Sequence, residues 1–201
     1  MNQMAESSHY PNYDVMREQN AWDEHTRKIV SDRLFHTHGY HFLSETEAEQ
    51  LRAWCSLLMD DPRTDVIQYV LSHIDSTLAQ NKGEGQRPAG TLEQRDLIRK
   101  GLISVEVACQ SLYGQSFYQL SQDKQRSFME QVVEQRIPLS GELAGINQKA
   151  FFQKLLLLTI ESYYSHPKIW SEIGYGGPAY PRGYVRADRE HLDPWEAQTD
   201  D

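Results

Sequence analysis

The sequence predicts an all-α fold, a compact helical bundle followed by an extended, irregular C-terminal arm rich in proline, glycine and aromatic residues. Through the middle of the chain apolar residues recur at steps of three and four, the spacing of one buried helix face. No stretch alternates polar and apolar residues long enough to make a useful strand. None of the eight prolines lies inside the periodic segments: Pro11, Pro62, Pro88 and Pro138 punctuate the body, and Pro167, Pro178, Pro181 and Pro194 crowd the end. A residue without an N–H that breaks helix interiors belongs at such positions.

The elements follow in order. Residues 1–20 read as an extended N-terminal segment, and 21–35 as a charged helix with a thin apolar stripe at Trp22, Ile29, Val30 and Leu34. Ser44-Glu45-Thr46-Glu47 is a capping box, in which the serine hydroxyl and the Glu47 carboxylate satisfy free N–H groups at a helix start. Leu51, Trp54, Cys55 and Leu58 follow as its buried face. Pro62 ends that helix, and Val66, Val70, Ile74 and Leu78 build the next. After the polar loop "NKGEGQRPAG", Ile98, Leu102, Val105, Cys109 and Leu112 form an inner face that stops at Gly114, in the position of a helix C-cap. Ser121 starts another helix with Asp123 in its first turn and Phe128, Met129, Val132 and Val133 inside. The last long helix, 147–164, is apolar nearly all round in its middle, as suits the centre of a bundle. The helical domain is thus expected over 21–164 and the arm over 165–201. Aromatic residues in the arm, Trp170, Tyr175, Tyr180, Tyr184 and Trp195, argue against disorder.

With 201 residues the chain has room for one well-filled core. Its 39% hydrophobic and 24% charged residues are those of an ordinary globular protein. A formal charge of −9 argues against a nucleic-acid partner, since phosphate binding needs a positive footprint. Cys55 and Cys109 stand far apart among apolar residues and read as buried, reduced thiols. The first sixteen residues hold no Lys or Arg and no apolar core of a signal peptide, so a cytoplasmic protein is expected, with co-export to the periplasm by a partner as the alternative. The run "LLLLTI", Leu155–Ile160, is far below the roughly twenty residues of a membrane span.

The motifs that invite chemistry are weak. "GEGQRP", Gly83–Pro88, has Pro88 where a dinucleotide fingerprint needs a small residue, and neither a strand before it nor a helix start after it. His36, His38 and His41 offer imidazoles to a metal, but no carboxylate or cysteine completes a set. Asp60 with Asp61, and Glu45 with Glu47, sit at helix ends as dipole partners and solvated caps. No nucleophile turn is visible. No catalytic, cofactor-binding or metal residue is therefore assigned to this chain. An aromatic arm on a helical body looks like a binding device, and arginines interleaved with tyrosines have the composition of a protein–protein hot spot. The expected partner interface is Trp170, Tyr175, Gly176, Gly177, Pro178, Tyr180, Pro181, Arg182, Gly183, Tyr184, Arg186 and Trp195.

Several stretches in this order are similar to those of a known family. "FLSETEAEQLRAW" looks like its first capped helix, and "GLISVEVACQSLYGQSFYQLSQDKQ" like its middle G-L…Y-G…F…L-S pattern. "FFQKLLLLTIESYYSHPKIWSEIGYGGP" looks like its closing helix and Y-G-G turn, and "PRGYVR…DPWEA" like the ending of one branch. The chain thereby resembles the gluconate 2-dehydrogenase subunit 3 family, small subunits of bacterial sugar and polyol dehydrogenases. The resemblance implies a non-catalytic accessory subunit in a hetero-oligomer. Its large partner would be a flavoprotein of the glucose-methanol-choline type that binds FAD and oxidises a sugar hydroxyl, while this chain helps it fold, stay soluble or reach its compartment. Two readings from other classes compete. One is a small enzyme with the arm folded over a pocket and His166, Arg182 or Arg186 in the site. The other is a stand-alone sugar-binding module that uses Trp170 and Trp195 as stacking platforms.

Overall fold

Capping and periodicity place the helices of the middle of the chain close to where the sequence predicts them. The computed structural model describes residues 8–35, 39–82, 90, 92–139, 144–184 and 192–198, and among these it contains helices and no strand. The chain divides into a middle unit, His38–Ser162, and a terminal unit that joins Met1–Thr37 to Tyr163–Asp201. The helices are α1 (Glu24–Asp32), α2 (Glu45–Met59), α3 (Thr64–Gln80), α4 (Gln94–Tyr113), α5 (Gln122–Val133), α6 (Gln148–Tyr163) and α7 (Pro167–Glu172). Short 3-10 helices wind over Val15–Ala21 and Phe117–Gln119.

In the middle unit α2 starts at the expected box: the Glu47 amide donates to Ser44 Oγ at 3.3 Å, and the Ser44 amide donates to Glu47 Oε2 at 2.8 Å. Two orphan donors of the helix start are satisfied at once. Trp54 on this helix stacks on Phe117 at 4.9 Å and meets Phe151 edge-on at 5.9 Å. Phe128 joins them against Phe117. All four rings are fully buried, and at roughly 150–250 Å² of surface each such aromatics dominate the energetics of a core. α3 buries Val66, Val70, Ile74 and Leu78 as predicted, and α4 buries Ile98, Leu102, Val105 and Cys109 before ending at Gly114 with φ +66°. That left-handed stop is cheap only for glycine.

A buried carboxylate pins the entry to α2. Asp75, on α3 and 1% exposed, accepts the amides of His41, Phe42 and Leu43 at 2.8 Å each. Both cysteines are buried and free, and burial pushes each thiol up to about 12, so they are inert members of the core.

In the middle unit several expectations need correction. Leu112 and Val133, expected inside, are 46% and 39% exposed. Each lies in the last turn of its helix, and on α5 it is the neighbouring Val132, 3% exposed, that stays buried in that turn. The middle of α6 is one-sided and not surrounded: Phe151, Leu155, Leu158 and Thr159 are buried, whereas Leu157 and Ile160 are 47% and 38% exposed. Asp61, read as a solvated cap, is 5% exposed and holds Arg63 at 2.7 Å.

The terminal unit has its own small core of Val15, Trp22, Val30 and Trp170, with Tyr13 and Met16 packed against it. α1 is shorter than the periodicity suggests, because Trp22 is extended (φ −90°, ψ 151°) and Asp23 caps the helix, accepting the His25 and Thr26 amides. The Thr26 hydroxyl, then the Thr26 amide, hold the exposed Asp23 carboxyl below its ordinary value. α7 forms where the arm was expected to be irregular. Pro167 occupies its first turn and His166 Nδ1 accepts the Lys168 amide at 3.1 Å, the combination of cap and proline that starts a helix.

Candidate partner-binding site

The segment after α7 is shaped by its glycines. Gly174 turns out of the helix at φ +75°, and a Cβ there would lie 2.5 Å from the Tyr10 ring. At Gly176 a Cβ would lie 2.7 Å from Trp195, and at Gly177, φ +78°, 2.7 Å from Trp22 and 3.1 Å from Val15. Each glycine is the seat of another residue's side chain.

Arg182 then closes the turn from within. Its side chain is 7% exposed, with the guanidinium 4.4 Å above the Trp195 ring. It donates to the carbonyls of Gly176 at 2.5 Å and Pro178 at 3.3 Å, and reaches Glu18 at 3.5 Å. A planar fork of donors suits this multiple engagement. Below it Tyr13 donates its hydroxyl to the Trp195 carbonyl at 2.8 Å. Burial, then the Glu18 charge, push the Tyr13 phenol up to about 12, so the hydroxyl keeps its proton in neutral solution.

The same turn leaves its tyrosines outside. Tyr175 is 42%, Tyr180 70% and Tyr184 79% exposed. Tyr175 has one edge on Trp170, at 5.4 Å and 84°. Pro181 and Gly183 are exposed and Pro178 is half-buried. The Tyr180–Pro181 peptide is cis. Of the residues expected at the interface, the exposed set is thus Tyr175, Tyr180, Pro181, Gly183 and Tyr184, while Trp170, Gly176, Gly177 and Arg182 support them from inside. Arg186 lies outside the described residues.

The competing readings meet specific obstacles here. His166 is 1% exposed and uses Nδ1 as a helix cap, and Arg182 is engaged within the turn, so neither faces a substrate. Trp170 is buried at 6%, which removes it as a sugar platform, and Arg182 lies over the ring of the half-buried Trp195. A groove of about 510 Å³ does lie beside α7, lined among others by Tyr10, Tyr13, Met16, Leu34 and Pro167. The hydroxyls of Ser8, Tyr13 and Ser171 along it already donate to the carbonyls of Glu172, Trp195 and Pro167. The Gly83–Pro88 loop, His36 and His38 lie outside the described residues. Among the described residues no group of three potential ligands could hold a metal ion, and no helix is long and apolar enough to cross a membrane.

Sequence reasoning did not find Tyr13, Glu18 or Asp75. Tyr13 and Glu18 belong to no periodic pattern, and their partners lie more than 160 residues away in the chain. The one available signal was compositional, a second tyrosine-rich stretch, "HYPNY", at the other end of the sequence.

Among its described residues the chain is an all-α protein in which a short helix, α7, leads into a glycine-rich turn that carries exposed tyrosines. Its family is given by a family model, Gluconate 2-dehydrogenase subunit 3, that matches residues 36–177; the chain belongs to that family. No curated protein and no solved structure matches the chain. The match takes in the middle unit, α7 and the Gly174–Gly177 turn, and it ends just before Pro178.

Proposed function

We propose that this chain is the small, non-catalytic subunit of a sugar dehydrogenase complex and that it binds a large flavin-dependent subunit of the glucose-methanol-choline type through the C-terminal arm. The family description, a dehydrogenase subunit, supports a complex. The observation that carries the rest is the pair Tyr180 and Tyr184, 70% and 79% exposed on a turn whose backbone Arg182 holds from within. Exposed tyrosines on a preorganised backbone are suited to docking, because little chain entropy is lost when they are covered. FAD would reside in the larger chain; among the described residues of this one there is no strand from which a dinucleotide-binding turn could start.

The test is to co-express the full chain, as wild type or as Tyr180→Ala/Tyr184→Ala, with the large subunit. Co-purification should fall strongly in the double variant, since buried aromatic anchors cost about 2 kcal/mol or more each on truncation. The free variant should melt as the wild type does, because neither ring is buried in the chain itself. Undiminished co-purification would remove the arm from the interface.

A further inference from the structure

The arm and the N-terminal segment are folded on each other, and three hydrogen bonds between them join a side chain to a backbone group. Ser8 Oγ donates to the Glu172 carbonyl at 3.1 Å, the Val15 amide donates to Ser171 Oγ at 3.1 Å, and Tyr13 Oη donates to the Trp195 carbonyl at 2.8 Å. Glu18 receives Arg182, the residue that holds the turn. Two of the glycines match the N-terminal segment. Tyr10 occupies the place of a Cβ at Gly174, and Trp22 the place of one at Gly177.

We propose that residues 8–22 are an internal template for the arm: the surface carried by Tyr175, Tyr180 and Tyr184 exists only while the N-terminal segment is docked against residues 171–182. Partner binding would then depend on residues near the start of the chain that need not touch the partner. The Tyr13 hydroxyl and the Glu18 carboxylate are the two groups that reach furthest along the arm, one to Trp195 and one to Arg182. The template itself does not rest on the proposed function; only its consequence for binding does.

Hydrogen exchange on the full-length chain tests it, comparing wild type with Tyr13→Phe/Glu18→Gln, which leaves every arm residue in place. Amides of residues 174–183 should exchange about tenfold faster in the variant, the effect of removing one or two hydrogen bonds from a locally opening segment. Amides of α3, in the middle unit, should not change and serve as the internal reference. Tyr13→Phe alone, which removes a single hydroxyl, keeps the experiment readable if the double variant unfolds. Unchanged exchange in 174–183 would overturn the template. Co-purification with the large subunit, measured on the same variants, separates the two ideas. Faster exchange with weakened co-purification supports both, whereas faster exchange with full co-purification upholds the template and overturns the arm as the partner contact.

Discussion

Gly101 shows how much one missing methyl group can carry. It sits inside α4 with no unusual backbone angle, so neither a turn nor a cap explains it. The ring of Phe151 explains it, since a Cβ at this position would fall on the ring atoms. Gly101→Ala improves helix propensity by up to about 1 kcal/mol. It also forces a fully buried ring to move, and overpacking of this kind costs about 1–3 kcal/mol. We expect a net loss of stability, read as a lower midpoint of denaturation with an unchanged slope. A midpoint that stays or rises would show that Phe151 has room to yield.

Between elements, carboxylates act as joints. Glu106 of α4 accepts the Gln50 amide of α2 at 2.6 Å, the Ser116 hydroxyl ahead of the second 3-10 helix at 2.7 Å, and Gln110 at 3.0 Å. Burial opposes its ionisation, but the donors Gln110, Ser116 and Gln50, with the Phe117 amide, outweigh burial and hold the carboxyl below its ordinary value of 4.5. A depressed folded pKa means that the stabilisation is complete above the ordinary value and is lost as pH falls through the folded one. The difference in melting temperature between wild type and Glu106→Gln should therefore be largest near neutral pH and close only below pH 4.5. A difference independent of pH would show that the carboxylate charge is not what joins these elements. Asp75 plays the same part between α3 and the 41–43 backbone. Its acceptors meet amides more than thirty residues away, so no local pattern announces it.

At the scale of the whole molecule the division of labour is the issue. Purified alone, the chain should show no flavin absorbance, and yellow colour should appear only with a larger co-purifying subunit; a visible spectrum with its peak near 450 nm, about one flavin for each complex, is the measurement. Stoichiometric FAD retained by this chain alone would overturn the assignment of the cofactor to its partner. The family match stops at residue 177, and the exposed Tyr180 and Tyr184 lie beyond it. The surface proposed for the partner is thus built partly from residues outside the region that defines the family.

The sequence by itself determined the all-α class, the α2 capping box, the buried face of α3, the buried Leu51, Trp54 and Cys55 of α2, the buried Phe128, Met129 and Val132 of α5, the stop at Gly114 and the family. These are local matters: a cap needs residues three apart, and a buried face repeats within two turns. The tertiary structure alone decided that α6 exposes one apolar side, that Gly101 makes room for Phe151, and that Asp75 gathers three amides. It also decided that Arg182 turns inward while Tyr180 and Tyr184 stay out. Composition marks an arginine among tyrosines as a contact residue, but which way it points is settled by Glu18 and Trp195, brought to it from elsewhere in the chain. Periodicity reports only on neighbours within a few residues, and the terminal unit is made by joining the two ends of the sequence.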